Sequence, residues 1–215
     1  MLLKNLLAGV GFASAALLAS GTANAATFTF SGTLVDHVLP AAFDLNVVGV
    51  SAGTTVKVAD DAGDGLGVDG PATIKFTFLG KEAGYTNLFN FSFGAVNFSN
   101  NVAVNSTFNS VVAAADNLLD FFFHSNAPGG GILNNGDGTV DNASIAFKVL
   151  SSTVVLVLFN DSAPVDADFD DMAVLMELGP ANVTPVPVPP AALLLVSGLA
   201  GLGFLGRRRS KATAA

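Results

Sequence analysis

Along the middle of the chain, apolar side chains alternate with polar ones at every second position. Ile74, Phe76 and Phe78 are separated by single polar residues, and Phe89 and Phe91 repeat the pattern. A period of two places such residues on one face of a β-strand, whereas an amphipathic helix needs a period near 3.6. The middle of the chain is therefore predicted to be all-β, with the phenylalanines forming its core.

Strands are predicted at short intervals through residues 26–180. They lie near residues 27–31, 47–50, 54–58, 73–78, 89–93, 102–104, 119–123, 145–149, 153–159 and 173–178. The run at 153–159 is apolar at nearly every position, which suits a central strand buried on both faces. A helical turn is expected only at 110–117. Many short strands separated by Gly-, Asn- and Asp-rich turns indicate a β-sandwich of the jelly-roll type.

Charge and cysteine content exclude several classes of function. All 17 acidic residues lie within residues 26–185, where the four basic residues are Lys57, Lys75, Lys81 and Lys148. A domain this acidic repels phosphate backbones, so nucleic acid is excluded as a partner and divalent cations are favoured. The chain has no cysteine, which excludes disulfides and thiolate chemistry and makes the domain depend on its apolar core.

The first 25 residues have the pattern of a signal peptide. Lys4 supplies a positive start, residues 6–19 form an uncharged apolar stretch, and Ala23 and Ala25 occupy the small-residue positions that signal peptidase requires. Cleavage after Ala25 makes Ala26 the first mature residue. The alternative interpretation of this segment is a buried N-terminal helix.

The C-terminal end has three parts in a fixed order. A linker at 181–190 contains a proline-rich motif, residues 191–206 carry no charge, and a basic tail occupies 207–215. The residues that define the motif and the tail are Val186, Pro187, Val188, Pro189, Arg207, Arg208 and Arg209. Residues 191–206 are predicted to form a transmembrane helix, since residues 189–206 as a helix span roughly 27 Å, close to the bilayer core of about 30 Å. The arginines favour a cytoplasmic tail and an external domain.

This three-part end resembles the PEP-CTERM sorting signal, and its VPLPA-CTERM variant most closely. The sequence departs from that pattern at Val188, where Leu or Glu is usual, and at Pro190, where Ala is common. The resemblance implies export from a Gram-negative cell, transient membrane anchoring, and cleavage near the proline motif by an exosortase-type membrane protease. It also implies a role at the cell surface or in an exopolysaccharide or biofilm matrix. An ordinary C-terminal membrane anchor is the alternative.

An aspartate-rich segment before the last predicted strand is the strongest candidate metal site. It resembles the acidic loops of extracellular β-domains that precede such sorting tails. Asp166, Asp168 and Asp170 alternate along it, and Asp161 lies a few residues earlier. Carboxylates at alternate positions of an extended segment point to one side, and Ca²⁺ prefers such hard oxygen ligands. The sequence therefore predicts a calcium site, with a solvated turn capped by Asp side chains as the alternative.

Two other acidic segments give weaker signals. Residues 60–64 contain three aspartates in a Gly-containing loop followed by Asp69, a pattern more typical of a flexible turn. Residues 134–141 resemble an EF-hand loop from its third position onward. Leu133 occupies the first ligand position, however, and the bidentate Glu is missing.

No catalytic residue is predicted, and the chain is expected not to be an enzyme. Asp120, His124 and Ser125 are the residue types of a hydrolase triad, but so close together on one strand they cannot converge. The expected function is structural or adhesive, in a matrix that contains exopolysaccharide. The alternative is a carbohydrate-binding module, although the chain has no Trp and a single Tyr for stacking on sugars. A secreted hydrolase is a distant third.

Overall fold

The computed structural model describes residues 25–82, 84–92, 95–112, 114–128, 131–139, 143–161 and 168–180. These residues form thirteen strands and contain no α-helix, which confirms the all-β prediction. The strands are β1 (Phe28–Ser31), β2 (Val35–Val38), β3 (Thr55–Ala59), β4 (Gly65–Val68), β5 (Ala72–Gly80), β6 (Asn87–Phe91), β7 (Val96–Ser99), β8 (Thr107–Val112), β9 (Phe121–Ser125), β10 (Ile132–Asn134), β11 (Ser144–Ser151), β12 (Val154–Asn160) and β13 (Met172–Pro180).

The strands form three antiparallel sheets. The largest has seven strands in the order β2-β3-β11-β12-β13-β5-β8, and a four-stranded sheet has the order β10-β9-β6-β7. Strands β1 and β4 form a two-stranded ribbon. Strand β5, early in the chain, pairs with β13, the last described strand. Segments that are distant in sequence are therefore brought together inside the largest sheet.

Phenylalanines fill the space between the two larger sheets. The ring of Phe76 on β5 lies 4.8 Å from that of Phe91 on β6, measured between centroids. Phe123 on β9 stacks on Phe159 of β12 with centroids 4.6 Å apart. Each pair joins one sheet to the other, so the sheets face each other across a shared apolar core as in a β-sandwich. The alternation of Phe with polar residues in the sequence corresponds to this inner face.

The outer face of the seven-stranded sheet is also buried. Residues Leu39 and Phe43, which follow β2, pack in a second apolar cluster with Leu156 and Leu158 of β12 and with Phe169. Strand β12 occupies the middle of the sheet, and its residues 155–159 are fully buried. The prediction of a central strand in the continuous apolar run is therefore confirmed, because neither face of β12 meets solvent.

Three local predictions were wrong. Residues 102–104 form no strand, because a turn with Asn105 in the left-handed region (φ 69°) interrupts the chain there. Residues 47–50 make only an isolated bridge. The described residues of the segment at 110–117 are not helical, since the first of them belong to β8 and pair with β5. Pairing with a neighbouring strand outweighs local helical preference in this segment.

The sequence prediction missed β4, which lies inside a segment predicted as a turn. A side chain at Gly67 would place its Cβ 2.4 Å from the carbonyl oxygen of Asn117. Glycine in this strand therefore permits a close approach of the backbone at 116–117, which bridges to Val68. The glycines that suggested a turn are instead the reason that a strand packs there.

Both predicted addressing segments lie outside the described residues, apart from Ala25, which is exposed. This applies to Ala23 and to the whole C-terminal end from residue 181, with its proline motif and arginines. In the part of the chain that the structure covers, no helix is both long and apolar enough to cross a bilayer.

Candidate functional site

The predicted calcium ligands lie where β12 ends and β13 begins. Asp161 directly follows β12, and Asp168 and Asp170 precede β13. All three are buried, and Asp170 has only 1% of its surface exposed. Asp166, the fourth predicted ligand, lies outside the described residues. Buried carboxylates are rare unless they are paired or bound to a metal.

Phe169 anchors the segment between two of these aspartates. Its φ of 64° is in the left-handed region, which a bulky side chain rarely occupies. The ring is buried in the second apolar cluster and contacts the ring of His37 edge-on, with centroids 5.1 Å apart. Burial of this ring offsets the strained backbone and draws the neighbouring Asp168 and Asp170 below the surface.

A cluster of three carboxylates forms at this point. Glu82, Asp170 and Asp171 each offer one oxygen, and these oxygens lie within 4.8 Å of one another. The backbone N–H of Glu82 donates to the carbonyl of Asp170 at 2.8 Å, and that of Asp44 donates to Oδ2 of Asp170 at 3.2 Å. This cluster of Glu82, Asp170 and Asp171 is called the strand-end site below.

Asn87, the first residue of β6, ties the opposite sheet to the site. Its Nδ2 donates to Oδ2 of Asp161 at 2.9 Å and to the carbonyl of Asp171 at 3.3 Å. The backbone N–H of Asp161 donates in turn to Oδ2 of Asp171 at 2.7 Å. Both sheets therefore hold the acidic residues in place, so the site is built on rigid strand ends.

Two buried oxygens here lack a hydrogen-bond donor: Oδ1 of Asp170 and Oδ1 of Asn87. A buried acceptor without a donor is costly, and native structures contain few of them. In the described part of the chain, the two ion pairs join Lys57 with Asp36 and Lys75 with Glu177, so neither supplies a positive charge to the strand-end site. A bound cation would satisfy both the charge and the open oxygen of Asp170.

The pKa values of the site reflect the close spacing and burial of its carboxylates. Burial is the main cause that raises the pKa of Asp171 to about 7. The N–H of Asp161 acts in the opposite direction, and the carboxylates of Asp161, Asp168 and Asp170 add to the rise. Burial also raises the pKa of Asp170, although a side-chain hydrogen bond with Asp168 lowers it. Raised pKa values favour the protonated forms of Asp170 and Asp171, so a cation that binds these carboxylates has to compete with protons.

The donor set suits a hard divalent cation. Ca²⁺ takes six to eight oxygen ligands at about 2.3–2.6 Å, from carboxylates, carbonyls and water. Glu82 and Asp171 were not among the predicted ligands. Glu82 is distant in sequence and reaches the site only because β5 pairs with β13, with a register shift at Ala173–Val174 opposite Gly80. No local signal marks such a residue.

In the EF-hand-like segment at 134–141, the central aspartate is hydrogen-bonded within its own turn. Oδ2 of Asp137 accepts hydrogen bonds from the backbone N–H and the Nδ2 of Asn134, at 2.9 and 2.7 Å. Asp137 thus closes its own turn. Asp141 lies outside the described residues.

The triad-type residues near β9 do not converge. His124 is exposed and Ser125 is buried, because successive residues of a strand point to opposite faces. The backbone N–H of Ala127 donates to the hydroxyl of Ser125 at 3.1 Å. The Ser125 side chain thus caps a turn.

No protein-family model matches the chain, and neither a curated protein nor a solved structure matches it. The function proposed for the chain therefore comes from its residues and from the geometry in which the fold places them.

Proposed function

We propose that the chain is an exported, non-enzymatic protein of the cell surface or extracellular matrix, with a structural or adhesive role among exopolysaccharides. Its β-domain binds Ca²⁺ at the strand-end site. The observation that carries the calcium proposal is the open, buried Oδ1 of Asp170 inside a cluster of three carboxylates. A cation satisfies this oxygen and neutralises its neighbours.

Calcium also meets a requirement set by composition. The chain has no cysteine, so disulfides cannot strengthen the domain outside the cell. The strand-end site joins the β12–β13 connection to Glu82 after β5 and, through Asn87, to the opposite sheet. A cation there would link segments that are distant in sequence, as a disulfide does in other secreted domains.

The chain ends support the export and sorting part of the proposal. The sequence up to Ala25 has the form of a signal peptide, and the segment from Val186 to Arg209 resembles an exosortase sorting signal. The strands occupy residues 28–180, so the β-domain lies between the proposed signal peptide and the proposed sorting signal. Thr27, close to the expected mature start, donates its N–H and hydroxyl to Asp69 at 2.6 and 2.7 Å.

A jelly-roll-like connectivity of the sandwich is part of the same proposal. Opposed antiparallel sheets and the pairing of β5 with β13, far apart in sequence, support it.

Intact mass of the mature protein from its native host tests the sorting. We expect a chain that begins at Ala26 and ends near Pro187 when the exosortase gene is present. In a host that lacks this gene, the C-terminal end should remain attached. A tail that persists in both hosts would replace the sorting proposal with a plain single-pass anchor.

Calorimetric titration of the purified exported protein with CaCl₂ tests the metal. We expect binding heat and a higher melting temperature, both reduced in Asp170→Asn. Asp120→Asn is the matched control, because it removes one exposed charge outside the site. Absence of binding heat together with an unchanged melting temperature would end the calcium proposal.

A carbohydrate-binding role is the second candidate, and the exposure of Tyr85 favours it. This residue, the only Tyr in the chain, is 45% exposed and lies two positions before Asn87. An exposed aromatic ring offers a surface for stacking a sugar. Electrophoresis through a gel containing the host polysaccharide should retard the protein but not Tyr85→Ala, if this candidate holds.

A further inference from the structure

The turn between β3 and β4 brings together three carboxylates that the proposed function does not use. Asp60, Asp61 and Asp64 each place one carboxylate oxygen within 4.8 Å of the others. Asp60 and Asp61 are exposed, whereas Asp64 has only 4% of its surface exposed. Acidic residues so close repel one another, and by themselves they do not identify a ligand.

Asp64 supplies the independent observation. Its Oδ1 accepts the backbone N–H of Thr33 at 2.8 Å, but its buried Oδ2 has no donor. A Cβ at Gly32 would lie 1.6 Å from Oδ1, so the chain leaves room for this carboxylate by having glycine there. The fold thus holds one oxygen of Asp64 by a hydrogen bond and leaves the other buried without a donor, although the same residue belongs to a cluster of three carboxylates.

A second loop is fastened to this turn. The N–H of Gly63 donates to the carbonyl of Gly136 at 2.7 Å, and that of Thr139 donates to the carbonyl of Asp60 at 3.3 Å. Gly138 fits against the turn closely, since a Cβ there would lie 2.7 Å from the carbonyl carbon of Asp61. The β10–β11 loop therefore packs on the backbone of the acidic turn, beside its carboxylates.

Neither of the two ion pairs in the described residues involves this turn, since they occupy Lys57 and Lys75. We propose that Asp60, Asp61 and Asp64 form a second Ca²⁺ site, the loop site, which fastens the β3–β4 turn beneath the β10–β11 loop. Turn carbonyls and water complete the coordination. The loop site does not depend on the strand-end site, because the two sets share no residue.

The loop site is expected to be the weaker of the two. Two of its three carboxylates face solvent, so water screens their charge and competes for the ion. Calcium sites of extracellular modules have dissociation constants of about 10⁻⁴ to 10⁻³ M, and the loop site belongs in this range. Such a site is filled outside the cell, where calcium is abundant, and empty before export.

Calorimetric titration of the purified exported protein with CaCl₂ tests the loop site by counting sites. We expect two classes of site, with the weaker class lost in Asp64→Asn and in Asp61→Asn. Because Asp64 is buried, the exposed Asp61 provides a variant that does not disturb the core. Asp120→Asn should retain both classes, and Asp170→Asn should lose only the stronger class.

Hydrogen exchange measured by mass spectrometry locates the sites. Calcium should slow exchange in peptides covering 60–66 and 132–139, at least several-fold, and this protection should vanish in Asp61→Asn. If these peptides do not respond while those at 82–88 and 168–172 do, the loop site is wrong and the strand-end site stands. The reverse pattern supports the loop site and rejects the strand-end site, and no response anywhere overturns both.

Discussion

The strand-end site and the loop site present similar oxygen donors that differ in burial: one of the three carboxylates is exposed in the first site and two are exposed in the second. Each gathers three carboxylates within 4.8 Å, and each contains a buried aspartate oxygen without a donor. In the strand-end site, Asp170 is almost fully buried and burial raises the pKa of Asp171 to about 7. In the loop site, Asp60 and Asp61 face solvent. From this difference we expect burial, more than the number of carboxylates, to set how strongly an empty site destabilises the protein.

The two sites also differ in what holds them. Strand ends from both sheets and the buried ring of Phe169 position the strand-end site. Glycines and backbone hydrogen bonds between two loops position the loop site. Loss of the cation should therefore weaken the whole domain in the first case and loosen one corner in the second. The predictions below separate these two consequences.

The largest loss in the free energy of unfolding is expected from Phe169→Ala. The substitution removes a buried ring from the second apolar cluster, and such losses cost about 3–5 kcal/mol. It also frees Asp168 and Asp170, so the stronger calcium class should disappear while the loop site remains. Denaturant unfolding gives the stability, and calorimetric titration counts the sites.

Leu39→Ala provides the matched control for that variant. Leu39 is buried in the same cluster, so its truncation should cost about 2–5 kcal/mol and leave both calcium classes intact. If Phe169→Ala retains the stronger class, the strand-end site does not depend on its buried anchor, and the contrast between the two sites fails.

A smaller, calcium-dependent effect is expected from Asp170→Asn. With free calcium at about 100 times the dissociation constant, losing the site costs about 2.7 kcal/mol, or roughly 5–10 °C in melting temperature. Without calcium, Asp170→Asn should melt at the same temperature as the wild type or at a higher one. The amide oxygen of the variant can still accept the N–H of Asp44, and the substitution removes one of the crowded negative charges. Thermal unfolding with and without calcium measures both states. A variant that is equally destabilised in both would have only a packing defect.

The fold and the candidate site differ in how far the sequence alone could predict them. Strand β12 was predictable, because a central strand requires apolar residues on both faces and its sequence is apolar from Val154 to Phe159. Strand β4 was not, since Gly65 and Gly67 are present for close packing against distant segments, and sequence shows only their turn-forming character. Glycine is favoured both in turns and in strands that pack closely against other backbone, and only the tertiary contacts show which of the two applies.

The same distinction applies to the strand-end site. The aspartates at 161, 168 and 170 are close in sequence, so their density predicted an acidic site at that point. Glu82 and Asn87 come from other strands, and only the pairing of β5 with β13 and the packing of the two sheets bring them there. Local sequence can therefore indicate where a site lies, whereas its full set of contacts depends on topology.

A third prediction concerns pH in calcium-free buffer. Because the pKa of Asp171 rises from an ordinary 3.8 to about 7 on folding, the folded state holds the proton more tightly between these pH values. The contribution of Asp171 to stability should thus be fully present below about pH 3.8 and be lost as pH rises through about 7, by about 2 kcal/mol after allowance for solvent screening. Denaturant unfolding across this range measures the slope, and Asp171→Asn should flatten it. An unchanged slope in the variant would assign the dependence to other groups.

The smallest effect is expected at the loop site, from Asp61→Asn. If the dissociation constant is near 10⁻³ M, calcium at twice that concentration stabilises the domain by only about 0.6 kcal/mol. The variant should therefore unfold almost like the wild type at low calcium. As calcium rises toward tens of millimolar, the melting temperature of the wild type should keep increasing, while that of Asp61→Asn stops once the strand-end site is full. A shift above about 2 kcal/mol would mean that the exposed turn supports the whole domain, and the energetic contrast between a buried and an exposed cluster would no longer hold.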